Sequence, residues 1–132
     1  MKHLLRMAAV VLVSVAPLGA GRAHFHMALR SSAPSANDTV RVALTQIRLT
    51  FTQHPDPAVS TMSLRATSGD SARVALGAVA PGSDTLSVVA PITGSLASGT
   101  YQVAWRSMSR DGHPVSGTFV FTFRPAAAGT SR

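Results

Sequence analysis

The feature that most constrains this chain is an alternation of apolar and polar residues with a period of two. In "TYQVAWRSM" Tyr101, Val103 and Trp105 alternate with Gln102, Ala104 and Arg106. "TQIRLTF" sets Ile47, Leu49 and Phe51 against Gln46, Arg48 and Thr50. "TMSLRAT" repeats the pattern with Met62, Leu64 and Ala66, "ARVALG" with Val74 and Leu76, and "GTFVFTF" with Phe119, Phe121 and Phe123. "DTLSVVAP" is a shorter, more apolar run. Successive side chains of a strand point to opposite faces, so this period marks strands with one buried face. The separators "SAPSAND", "HPDPA", "SGDS", "APGSD", "ASG" and "DGHPVSG" are turn chemistry. After residue 23 there is no stripe of helical period. About seven such strands in about 100 residues predict a two-sheet antiparallel β-sandwich. Trp105 and the Phe119, Phe121, Phe123 face are expected at the centre of its core.

The first residues read differently. Lys2 and Arg6 precede an apolar run from Met7 to about Leu18, too short for the roughly 20 residues of a membrane span. Small residues follow at Gly21 and Ala23, the spacing that signal peptidase reads. The expectation is a cleaved export signal over residues 1–23, against the alternative of an uncleaved anchor or a buried helix. Residues 24–125 then form the domain and 126–132 a flexible tail. No later apolar run is long enough to span a bilayer. Loss of Lys2, Arg6 and Arg22 takes twelve cations to nine, which against five acids leaves +4 in place of +7. The cations are scattered, with no basic run or aromatic–basic cluster of the kind that binds nucleic acid.

Cysteine is absent, which excludes thiolate zinc, iron–sulfur and blue-copper sites, and cysteine nucleophiles. Any metal must take nitrogen, carboxylate oxygen or thioether. Cleavage after Ala23 makes His24 the first residue. Its α-amine, with a pKa of about 7.7–8.0, gives up a proton readily to a metal near neutral pH. Amine and imidazole together close a chelate ring. His26, two residues on, projects to the same side of an extended segment. A second carrier of ligands is "SRDGHPVSG", where Asp111 and His113 flank Gly112. Glycine there permits a tight backbone path, and Pro114 biases His113 toward extended conformations. Three nitrogens plus one more nitrogen or oxygen, without sulfur, favour a tetragonal Cu(II) site over structural zinc, with nickel weaker in the usual order. His54 in "TQHPDPA" reads as an exposed loop histidine, and Met27, Met62 and Met108 as dispersed packing residues.

These residues together resemble the CopC family of periplasmic copper-binding proteins. "AHFHMALRSSAPSAND" is similar to the family's opening, and "LASGTYQVAWRSMSRDGHPVSGTFVFTF" to its closing strand, loop and strand. The resemblance implies an immunoglobulin-like or cupredoxin-like Greek-key sandwich. It also implies a Cu(II) site of His24, His26, Asp111 and His113, and a role in copper storage, delivery or resistance rather than catalysis. An inner-membrane copper transporter of the CopD type is the partner it implies. Two departures stand out. The middle region "HPDPAVSTMSL" holds only Met62 where some members carry a methionine-rich Cu(I) loop, and the family's "FSEP" becomes "FTQHP". Two other functions fit a terminal histidine on a small β domain. One is a copper monooxygenase acting on polysaccharide, and the other is a metal-free immunoglobulin-like interaction module.

Overall fold

A computed structural model describes residues 26–127. Nine strands occur there: β1 (Leu29–Ala33), β2 (Thr39–Val40), β3 (Gln46–Phe51), β4 (Thr61–Ala66), β5 (Arg73–Val74), β6 (Ala80–Pro81), β7 (Ser87–Pro91), β8 (Gly99–Met108) and β9 (Pro114–Phe123). One sheet has the order β1-β3-β7-β6 and the other β2-β9-β8-β4-β5. The chain crosses between the sheets rather than completing one before the next, as in a Greek key. The sandwich expected from the alternation is present. The strand number exceeds seven because β2 and β6 are two-residue pieces, too short to show a period. The pairing is antiparallel except between β2 and β9, which run parallel.

The alternation decides which face each strand buries. On β3, Ile47, Leu49 and Phe51 are at most 1% exposed, while Arg48 turns outward to Asp84. Opposite them stand Leu64 of β4, Tyr101, Val103 and Trp105 of β8, and Phe121 and Phe123 of β9. Phe51 meets Trp105 edge to face at 5.4 Å, an arrangement that bridges the two sheets. Tyr101 stacks on Phe121 and donates its hydroxyl to the Ala97 carbonyl at 2.7 Å, so its buried polar end is satisfied. One expected core residue is displaced. Phe119 is only half-buried, because it lies in a groove beside Leu29 of the edge strand β1, where the facing sheet ends. The centre is instead built on Phe51, Ile47, Leu49, Val103 and Phe121.

β8 and β9, ten residues each, form a hairpin in register from Gly99↔Phe123 to Met108↔Pro114. Gly117 sits opposite Trp105, and a Cβ there would come within 2.8 Å of the indole. Backbone pairing continues past β9, with Ala126 N–H donating to the Arg41 carbonyl at 3.2 Å. Among the described residues no helix is long and apolar enough to cross a membrane.

Candidate metal centre

The inward face of β8 changes character along its length. Tyr101, Val103 and Trp105 are followed at the same period by Ser107 and Ser109, both buried. The Ser107 hydroxyl pairs with that of Ser60 at 2.8 Å, and Ser60 also donates to the Asp56 carbonyl at 2.6 Å. Buried hydroxyls are thus satisfied as the core gives way to a polar end. The loop 109–113 closes that end. Gly112 adopts a φ of +86°, a conformation that L side chains rarely take, and its N–H donates to the Ser109 carbonyl at 2.9 Å. The Ser109 N–H donates to the His113 carbonyl at 3.3 Å.

This tight turn brings Asp111 back against His113. His113 Nδ1 lies 3.2 Å from Asp111 Oδ2, and the His113 backbone N–H reaches Oδ1 at 3.4 Å. The Ser109 hydroxyl donates to the same Oδ1. These contacts hold the Asp111 carboxyl below its ordinary range, the Ser109 hydrogen bond first and the His113 side chain next. Both side chains remain mostly open to solvent, Asp111 at 61% and His113 at 65%. A donor at Nδ1 leaves His113 Nε2 with its lone pair outward, as a metal-binding imidazole requires. An ionised carboxylate has about four lone-pair sites, so Asp111 can hold His113 and still offer an oxygen to a cation.

The other half comes from the start of the described chain. Met27 is 3% exposed and anchors the segment in the core. Ala28 N–H donates to Thr52 Oγ1 at 3.0 Å, and the Ala28 carbonyl accepts from Thr52 N–H at 2.9 Å. Because neighbours along an extended segment alternate sides, a buried Met27 turns His26 outward. Its ring then stands 6.0 Å from that of His113, centroid to centroid, at 75°. With nitrogen–metal bonds of about 2.0 Å, two imidazoles on one ion have centroids at most roughly 6.4 Å apart. The separation of His26 and His113 is within that span.

Of the four ligands expected from sequence, the fold therefore gathers His26, Asp111 and His113 at one end of the sandwich. His24 lies outside the described residues. Among the described residues no three histidine or aspartate side chains yet converge as a closed metal-binding set. His54 is exposed as expected, with Nδ1 2.9 Å from the Thr85 carbonyl. It lines a cleft beside the loop together with Gln53, Arg110 and Asp111. Ser109 is the site residue that sequence reasoning passed over. Its signal was available, since it continues the inward period of β8 and stands two residues before Asp111.

Comparison with known proteins places the chain in a family. The family model described as the CopC domain matches residues 29–124. Copper resistance protein C of Escherichia coli is 36% identical over 104 residues, covering 75% of this chain and 82% of that protein. Copper resistance protein C of Xanthomonas campestris pv. juglandis is 31% identical over 121 residues, covering 89% and 94%. The crystal structure of PcoC, a methionine-rich copper resistance protein from Escherichia coli, superposes with a TM-score of 0.67 at 37% identity. It covers 75% of this chain and 99% of that one. The crystal structure of CopC from Methylosinus trichosporium also gives 0.67, at 30% identity, covering 76% and 95%.

Proposed function

The chain belongs to the CopC family of copper resistance proteins, and from that premise we propose that it binds one Cu(II) ion at the His113 end of the sandwich. The family acts by binding copper and not by catalysis. The observation that carries the proposal is the approach of His26 to His113, with Asp111 against the same imidazole. The donors are nitrogen and carboxylate oxygen, without sulfur, which suits tetragonal Cu(II).

In this reading residues 1–23 are an export signal and the protein works in the periplasm, storing or delivering copper. His24 then supplies amine and imidazole as a chelate, His26 and His113 one imidazole each, and Asp111 a carboxylate oxygen. The fold supports this assignment by tethering the segment around Met27 and Ala28 next to the Asp111–His113 loop. A transporter of the CopD type in the inner membrane is the recipient that the reading implies. Affinity falls with pH, because protons compete for the amine and the imidazoles.

The test is a Cu(II) titration of two forms, one beginning at His24 and one with a single residue added before it. The added residue removes the terminal amine from the chelate and should weaken binding sharply. Equal affinity in both forms sinks the terminal-amine site. Mass spectrometry of the protein recovered from its native compartment supplies the mature N-terminus.

A further inference from the structure

The outer face of the five-stranded sheet carries a charge pattern that the copper site does not use. On β4 the outward residues are Thr61, Ser63 and Arg65, and on β8 they are Gln102, Ala104 and Arg106. Arg65 stands directly opposite Arg73 of β5. Like charges at facing positions of a sheet are destabilising, so the pair is a local cost without a gain in folding. Ser63 faces Ala104 and Thr61 faces Arg106. These small side chains floor a shallow depression, and Arg73 and Arg106 flank it.

Among the described residues no carboxylate forms an ion pair with the three arginines. The ion pairs among the described residues are Arg48–Asp84 and His113–Asp111. Asp56 caps the turn at Ala58, Asp38 accepts from the Thr39 N–H, and Asp84 and Asp111 are held in their own loops. Asp70, in the β4–β5 turn, makes no ion pair with them. On β9 the neighbouring outward positions, Ser116, Thr118 and Val120, are uncharged. Arg65, Arg73 and Arg106 are all exposed.

The geometry points to this face as a docking surface for the acidic surface of a partner protein, with a carboxylate seated between Arg73 and Arg106. Guanidinium forks match planar carboxylates in paired hydrogen bonds, and the shallow floor admits a side chain of that size. A lipid surface is a poorer match, since such binding draws on four or more clustered cations or on exposed aromatic anchors. Neither occurs on this face. Arg106 of β8 precedes Ser109, just past the strand's end, by three residues, about 10 Å along the extended chain. A partner docked here lies beside the Asp111–His113 loop, yet the docking needs no particular metal ligand.

The experiment uses the copper-free protein, so its outcome is separate from that of the copper reading. A hexa-aspartate peptide is titrated into isotope-labelled protein, and amide shifts are mapped at low and high salt. Shifts centred on Ser63, Arg73, Ala104 and Arg106 that fade with salt are expected. The double variant Arg73→Ser, Arg106→Ser should weaken binding about tenfold. The charge-matched double variant Arg41→Ser, Arg124→Ser should change it less than about twofold. Equal losses in the two variants, or shifts spread over all arginines, reduce the effect to net charge and overturn the proposal. Binding to phosphatidylglycerol vesicles without binding to the peptide overturns it in favour of a lipid surface.

Discussion

The Ser109 hydroxyl, on a residue 4% exposed, donates to Oδ1 of the solvent-facing Asp111. A buried residue just past the end of β8, continuing its inward period, thereby sets the orientation of a carboxylate outside the core. The other oxygen is left facing His113. With the backbone hydrogen bonds of Ser109 to Gly112 and His113, this contact ties the loop to the hairpin, so the loop geometry inherits the order of the strand.

Ser109→Ala removes the largest cause of the lowered Asp111 pKa, and the carboxyl should titrate higher, nearer its ordinary value. The sign follows from linkage. A depressed carboxyl adds stability above its unfolded pKa, and that stability is lost as pH falls through the folded value. The variant should lose part of this acid-side dependence on pH, the part that His113 sustains remaining. A carbon-detected NMR titration of the Asp111 carboxyl reads the shift directly, and an unchanged midpoint contradicts the role of Ser109. Copper affinity should fall by about 10-fold, the lower end of what loss of an orienting partner costs. Ser109→Thr, which keeps the hydroxyl, should restore both.

Met27→Ala tests the tether of the first described segment. Met27 is a buried member of the core cluster, and its truncation should cost about 2 kcal/mol, the low end for such a change near a chain end. Urea denaturation measures that loss. The same variant should also release His26 from His113, read as loss of contacts between the two rings in NMR. Retention of those contacts would show that the Ala28–Thr52 hydrogen bonds alone hold the segment.

Gly117→Ala is expected to destabilise although it adds a single methyl. The added Cβ would lie 2.8 Å from Trp105 Cζ2, so the indole or the β9 backbone must move. Overpacking of this kind costs about 1–3 kcal/mol. The change in Trp105 fluorescence and a lower thermal midpoint check it. A variant as stable as the parent would mean that the indole shifts freely.

How much of this was legible in the sequence differs by element. β3, β4, β8 and β9 were readable because each buries one face over six or more residues, long enough for a period of two to show. β5 showed only through the alternation of Val74 and Leu76, and β2 and β6 did not show at all, because two residues carry no period; β2 moreover pairs with β9, distant in sequence. Phe119 alternates with Phe121 and Phe123 as a core residue should, yet burial also depends on whether the facing sheet extends that far. Asp111 and His113 were visible as a pair because one turn brings them together. The closeness of His26 to them came only from the family resemblance, since it depends on Met27 entering the core and Ala28 pairing with Thr52, contacts that alternation alone does not specify.

His26 and His113 provide the sharpest test of a shared ion. If both imidazoles bind one Cu(II), removing either should lower the number of equatorial nitrogens by one. Pulsed EPR of the copper complex counts them. Loss of His113 should cost more, because Asp111 orients it and both sit on one tight loop. His113→Ala should therefore exceed the roughly 10–100-fold loss typical of an orienting partner, and His26→Ala should stay within it. The two losses should also be non-additive, as expected for groups that act on one ion. If His26→Ala leaves both nitrogen count and affinity unchanged, the 6.0 Å approach of the rings is packing and not shared coordination.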